Sequence, residues 1–320
     1  MSYAGPEFDP RPSPPSRRGR RALLAALVVA LAAAGVVVQR AVSGDGDGAG
    51  SRAASSASPD SSAASGSSPG APAKSPSVSG TSSPSAASTA KPPARSGPLK
   101  GKVVVIDPGH NTGNAAHTTE INRAVRIGNG AKECDTTGTA TDAGYAEARF
   151  TLDVSRRLRT LLEQQGATVR LTQDGDRPWG PCIDERARIG NEAEADAVVS
   201  VHADGSAAGD RGFHVILPGP VTGGGADTRG IVEPSRELGE RIAGNFVRAT
   251  GSAPSDYVGD GTGLVTREDL GGLNLSKVPK VFIECGNMRN SKDAALLTSG
   301  AWRQKAAQGI SGGIVGFLRG

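Results

Sequence analysis

Lys102–His110 reads KVVVIDPGH, and the fold is decided there. Val103 to Ile106 are β-branched and apolar without a break, the pattern of a buried strand. At its exit stand Asp107, a Pro-Gly turn and His110. Open α/β sheets present ligands and chemistry at the carboxyl ends of their strands, so a polar group delivered just past a buried strand marks a candidate site. The arrangement recurs twice: Ala197–Asp204, AVVSVHAD, delivers His202, and Val281–Gly286, VFIECG, delivers Glu284.

Outward from these runs, Asn111–Gly144 is polar and rich in Thr, Gly and Asn, which predicts a long loop. A structureless loop of that length in a compact domain tends to be functional. Glu147–Gln165 reads as a helix with Phe150, Val154, Leu158, Leu161 and Leu162 on one face, stopped by Gly166. Further strands are expected at Ala167–Thr172, Ala197–His202, Phe213–Leu217 and Val281–Glu284, with helices at Asp184–Ala195, Ser235–Thr250 and Arg303–Leu318. Pro218–Pro234 and Asp256–Leu275 read as Gly-rich, irregular connections. Alternating strands and helices predict an α/β fold: a three-layer, mostly parallel sheet flanked by helices, forming a single domain over residues 99–320.

Ahead of that domain the composition changes. Residues 1–21 are Pro- and Arg-rich and read as a disordered basic cytoplasmic lead. Residues 22–38 are uninterruptedly apolar, about 25 Å of helix at 1.5 Å per residue. The preceding arginines place the N-terminus in the cytoplasm and the remainder across the membrane. The segment is either a transmembrane signal anchor or a signal peptide, for which Ala41-Val42-Ser43 offers a cleavage site. Ser16-Arg17-Arg18 is a partial twin-arginine match. Residues 39–98, Ser-, Ala- and Pro-rich, read as a disordered linker. The net charge of +4 is accounted for by the clustered Arg11, Arg17, Arg18, Arg20 and Arg21, so no nucleic-acid partner is inferred.

None of Cys134, Cys182 and Cys285 forms a CxxC pair. In an exported domain Cys134 and Cys182, both in loop-like sequence, are the natural disulfide; the alternative is three reduced thiols. Cys285 lies within an apolar strand and reads as a small buried residue.

His110 and His202, both at strand exits, are either ligands converging on one metal ion or ordinary core histidines. Glu147 is in register with the buried face of its helix, so its carboxylate is either paired or metal-bound, unless it merely favours the helix's first turn. Two histidines and one carboxylate would make a catalytic zinc set with an open fourth position. Glu284 is then the candidate general base and acid, with Cys285 turned to the opposite face by strand alternation. The HExxH motif is absent.

Together, VVIDPGH, GYAEARFTLDVSRRLRTLLEQQG, ADAVVSVHAD and VFIECGNMRN resemble the zinc-dependent N-acetylmuramoyl-L-alanine amidases of the amidase type 3 family, in order and spacing from Leu99 to Gly320. The resemblance implies a peptidoglycan hydrolase cutting the amide between N-acetylmuramic acid and the L-alanine of the stem peptide. It implies one Zn2+ per chain on His110, Glu147 and His202. Glu284, in a Glu-x-Gly-x-x-x-Asn pattern ending at Asn290, would move the proton from the attacking water to the departing nitrogen. Asp107 is expected behind a ligand histidine or as a turn cap, and Arg267 and Asn274 as substrate contacts. His117 and His214 receive no role. No helix is expected to plug the site from Pro218–Pro234, and the long loop, tied by Cys134 and Cys182, would wall it. The implied partners are peptidoglycan or muropeptides, and the membrane through the N-terminal segment; the expected state is an extracytoplasmic monomer. The rival readings are another zinc peptidase or deacylase, and a non-catalytic peptidoglycan-binding module.

Overall fold

In a computed structural model, which describes residues 96–320, the β-branched run forms strand β1 (Val103–Pro108) of a six-stranded sheet. The basic lead, the apolar segment 22–38 and the linker as far as residue 95 lie outside the described residues. After β1 come α1 (Thr118–Ile121), a hairpin of β2 (Ala124–Arg126) and β3 (Ala131–Glu133), α2 (Glu147–Gln164), β4 (Thr168–Leu171), α3 (Ile183–Glu192) and β5 (Ala197–Asp204). Then follow β6 (His214–Pro218), a small hairpin of β7 (Thr222–Gly223) and β8 (Ala226–Asp227), α4 (Val232–Thr250) and β9 (Leu264–Arg267). The chain closes with α5 (Gly271–Asn274), β10 (Lys280–Asn287), α6 (Ser291–Leu297) and α7 (Gly300–Arg319). The sheet order is β4-β1-β5-β10-β6-β9, parallel throughout except between β10 and β6.

Side-chain alternation sorts the strands into two chemically different faces. Val104, Ile106, Val199, Val201, Val281 and Ile283 enter the main core with Phe150, Leu158, Leu238, Ile242, Phe246 and Ile310 of α2, α4 and α7. Each such residue contributes roughly 1.5–3 kcal/mol through burial. Cys285 lies in this core, on the side opposite Glu284. The intervening residues Asp107, Ser200, His202, Lys280, Phe282 and Glu284 therefore point to the other face. There, Val105 and Val198 pack with Ile189 of α3, while α5 and the β2–β3 hairpin flank the polar groups.

Several connections carry more structure than their composition predicts. Asn111–Gly144 is not structureless: it holds a 3-10 turn, α1 and the β2–β3 hairpin, fastened by the Cys134–Cys182 disulfide. The stretch expected to be irregular, 256–275, contains edge strand β9 and α5, and α6 precedes the closing helix. Helix α4 begins at Val232, with Pro234 in its first turn. The first four helical N–H groups have no intrahelical partner, so a proline is harmless there. Of the stretch expected to be helix-free, Pro218–Pro234, residues 218–231 hold β7 and β8 and no helix, while α4 takes up the last three residues. Among the described residues no helix is long and apolar enough to cross a membrane.

Candidate metal centre

The three strand exits and the first residue of α2 meet at one end of the sheet. His110, two residues past β1, adopts a left-handed backbone at φ 60°, which is uncommon for a side-chain-bearing residue. Gly109 before it accommodates the histidine of the next strand: a Cβ at Gly109 would stand 2.3 Å from the His202 ring. The ring centroids of His110 and His202 are 4.9 Å apart, edge to face. Thr151 of α2 donates to the Gly109 carbonyl at 2.7 Å and fastens the helix to this turn.

Glu147 lies between the two imidazoles. Its Oε2 is 3.2 Å from His110 Nε2 and its Oε1 is 3.0 Å from His202 Nδ1. The backbone N–H groups of Thr139 and Ala203 also donate to this carboxylate, at 3.0 and 3.2 Å. One potential ligand atom from each of His110, Glu147 and His202 lies within 4.8 Å of the others. Gly138 closes the cluster without crowding it, at φ +73°, where a Cβ would come within 2.8 Å of both Glu147 and His110. Burial alone would raise the Glu147 pKa, but the His110 and His202 interactions hold it below the usual carboxylate range. Burial would likewise lower His110, yet Glu147 and Asp135 outweigh it and raise that imidazole well above its ordinary value. The cluster is thus a buried place where positive charge is favoured, with the mixed imidazole and carboxylate donors that suit zinc.

Glu284 stands in the next strand. Burial first, then the negative charges of Glu147 and Asp204, push its pKa well above the usual carboxylate range. Its Oε2 is buried and has no hydrogen-bond partner. With His110, Glu147, His202 and Arg267 it lines a cleft of about 310 Å³, which adjoins a second hollow of about 250 Å³ floored by Ile183, Leu270 and Phe282. Phe282 stacks on His202, with ring centroids 5.2 Å apart.

Two site expectations need correction. Asn274 is fully buried, and its amide donates to the Ile127 and Glu268 carbonyls and to Asn129 Oδ1, so it braces the hairpin and is unavailable to a substrate. Asp107 neither touches an imidazole nor caps its turn. It accepts from Thr172, Arg186, Ser200 and Lys280 in the sheet interior. Arg267 does line the cleft, with its guanidinium forked onto Asp269 at 2.8 and 2.7 Å. His214, the cross-strand partner of Glu284, is buried edge-on to Tyr257; burial lowers its pKa. His117 lies on the periphery beside Glu120.

Sequence reasoning missed Asp135, whose Oδ1 is 3.3 Å from His110 Nδ1, and Arg186, which grips it. The adjacency of Asp135 to Cys134 was the available signal, since a disulfide fixes its neighbours' backbone.

Residues 104–315 match the family model Amidase_3, described as N-acetylmuramoyl-L-alanine amidase. Over 221 residues the chain is 42% identical to the N-acetylmuramoyl-L-alanine amidase Rv3717 of Mycobacterium tuberculosis, covering 69% of this chain and 88% of that protein. The structure is similar to the N-acetylmuramyl-L-alanine amidase Ami1 of Mycobacterium smegmatis, with a TM-score of 0.63 and 40% identity, covering 69% of this chain and 98% of the other. It is equally similar to the apo form of Ami1 from Mycobacterium abscessus, with a TM-score of 0.63 and 43% identity over 69% of this chain and all of that one.

Proposed function

This chain belongs to the N-acetylmuramoyl-L-alanine amidase family, Amidase_3, and on that premise we propose that His110, Glu147 and His202 hold one zinc ion while Glu284 serves as general base and acid. The enzyme is a peptidoglycan hydrolase, cutting the amide that joins N-acetylmuramic acid to the L-alanine of the stem peptide. The observation carrying the site assignment is the Glu147 carboxylate between two imidazoles, with the partnerless Oε2 of Glu284 buried in the same cleft. A zinc ion in such a set supplies Lewis acidity, which acidifies water and polarises a carbonyl.

The protein's own part is to move the proton. Glu284, whose carboxyl burial makes more basic than an ordinary carboxylate, takes a proton from the attacking water and passes it to the alanine nitrogen as the C–N bond breaks. Phe282 and the hollow beside it give the substrate an apolar wall, and Arg267 places a cation at the rim of the cleft for a stem-peptide carboxylate. The Cys134–Cys182 disulfide supports an oxidising, extracytoplasmic setting. Residues 22–38 would carry the chain to or through the membrane, and residues 39–98 would give the catalytic domain reach into the wall.

The test is zinc content of the purified protein measured beside cleavage of muropeptides. About one zinc per chain, lost together with L-alanine-terminated peptide release in His202→Ala, supports the assignment. Full activity in a zinc-free preparation overturns it.

A further inference from the structure

A buried chain of ion pairs runs from the sheet interior to the back of one proposed ligand. Lys280 Nζ is 3.1 Å from Asp107 Oδ2, Asp107 Oδ1 is 2.7 Å from an Arg186 nitrogen, and Arg186 is 3.0 Å from Asp135 Oδ2. Asp135 Oδ1 then faces His110 Nδ1 at 3.3 Å. All four charged side chains are almost wholly buried. Two carboxylates and two cations balance, as buried charges must.

Arg186 organises this chain. A guanidinium has five N–H donors, and here it makes five contacts: the Pro181 carbonyl, Asp107, the Pro108 carbonyl, the His110 carbonyl and Asp135. Three of those acceptors belong to the β1 exit, so the residue that holds Asp135 also holds the backbone of the Pro-Gly-His turn. Gln173 adds a second donor to the His110 carbonyl at 3.1 Å. The unusual backbone of His110 is therefore clamped from its carbonyl side, and its ring is clamped from Nδ1.

The two histidines differ here. His202 turns Nδ1 towards Glu147 and stacks on Phe282. His110 presents Nε2 to Glu147 and backs its Nδ1 onto Asp135 Oδ1 and the Thr136 carbonyl, the latter at 3.1 Å. An imidazole that lends Nε2 to a metal carries its proton on Nδ1, and an acceptor there fixes the tautomer and ring plane and raises ligand basicity.

From this geometry, and resting on the metal reading above, we infer that Asp135 is a positioning residue for His110, held in place by Arg186, so that the Asp135–Arg186 pair sets the affinity of the centre for its metal. The disulfide belongs to the same arrangement: Cys134 immediately precedes Asp135, and Cys182 caps the start of α3, which carries Arg186.

The test uses the full-length protein as wild type, Asp135→Asn, Asp135→Ala and His110→Ala. Zinc affinity is measured by competition with a chromophoric chelator, the ligand field by the visible spectrum of the cobalt(II) form, and thermal unfolding on the metal-free form. Removal of such a partner typically weakens metal binding about 10–100-fold. Because the Thr136 carbonyl remains, Asp135→Ala should lose about tenfold with shifted cobalt bands. Asp135→Asn keeps an oxygen for Nδ1 only by turning its NH2 onto the Arg186 guanidinium, donor to donor, so it too should weaken zinc binding and shift the cobalt bands. A purely structural Asp135 would lower the unfolding temperature and leave zinc affinity and cobalt spectrum unchanged. Affinities within twofold of wild type overturn the inference, and if Asp135→Ala fails to fold, Asp135→Asn decides by its cobalt spectrum. A wild-type protein that binds no zinc overturns the metal reading, and this inference with it; wild-type binding with unaltered variants overturns the inference alone.

Discussion

Glu284 and His202 are direct partners in the parallel ladder between β10 and β5. Partners in a parallel ladder present their side chains to the same face of the sheet. One register thus delivers both a proposed ligand and the proposed acid/base group to the face opposite the main core.

Glu284→Gln is the sharpest consequence. The amide keeps the shape of the side chain and removes its capacity to take up a proton. Turnover of muropeptides should fall about 10²–10⁴-fold, the usual worth of a positioned general acid–base, while zinc content stays at the wild-type level. Parallel loss of zinc would make Glu284 a ligand and sink the assignment.

Chelation should remove activity and stability together. A ligand that binds only the folded state stabilises it by about 2.7 kcal/mol at 100 times its dissociation constant. Dialysis against a chelator should abolish muropeptide cleavage and lower the unfolding temperature, and added zinc should restore both. An unfolding temperature indifferent to zinc would argue against a site built into the fold.

The fold and the convergence of His110, His202 and Glu284 were legible in the sequence for a shared reason. Core strands β1, β5 and β10 carry β-branched runs whose burial is demanded by their own composition, and His110, His202 and Glu284 stand at their exits. Edge strand β9 is only half-buried, so LVTR gives no comparable signal. The β2–β3 hairpin has three-residue strands, AVR and AKE, with just Val125 buried, too short for any period to show. The roles of Asn274 and Asp107 differ from expectation because a polar side chain's role depends on distant partners: the Ile127 and Glu268 carbonyls for one, Lys280 and Arg186 for the other. Asp135 escaped notice for the same reason.

The disulfide should matter for stability. Cys134 and Cys182 are separated by 48 residues, and the chain-entropy model gives about 4 kcal/mol for closing a loop of that size. Cys134→Ser with Cys182→Ser should lower the unfolding free energy extrapolated from urea titration by a large part of that amount, with a slope equal to or steeper than that of the wild type because the uncrosslinked unfolded chain exposes more surface. A double variant as stable as the wild type would place the ordering of the 111–144 segment in its hairpin and hydrogen bonds alone.

Acid sensitivity should originate partly at Asp107. Burial alone would raise its pKa, but the charges of Lys280 and Arg186 outweigh burial and hold it well below its ordinary value of 3.8. The unfolded chain therefore takes up this proton at a higher pH than the folded one. The stabilisation is complete above about pH 4 and is lost as pH falls towards the folded value. Lys280→Met removes one of the two compensating cations while leaving Arg186, and breaking a buried pair costs about 3–5 kcal/mol. At pH 7 the variant should be less stable by about 3 kcal/mol, the low end of that range because Arg186 remains. Its deficit should narrow below pH 4, where Asp107 protonates more readily without Lys280. Urea midpoints from pH 7 to pH 3, taken on metal-free protein, measure both. Equal stability at pH 7 would show that the Lys280–Asp107 pair contributes no net stabilisation; a deficit constant with pH would assign the loss to packing around Phe282 and Gly272 rather than to the charge on Asp107.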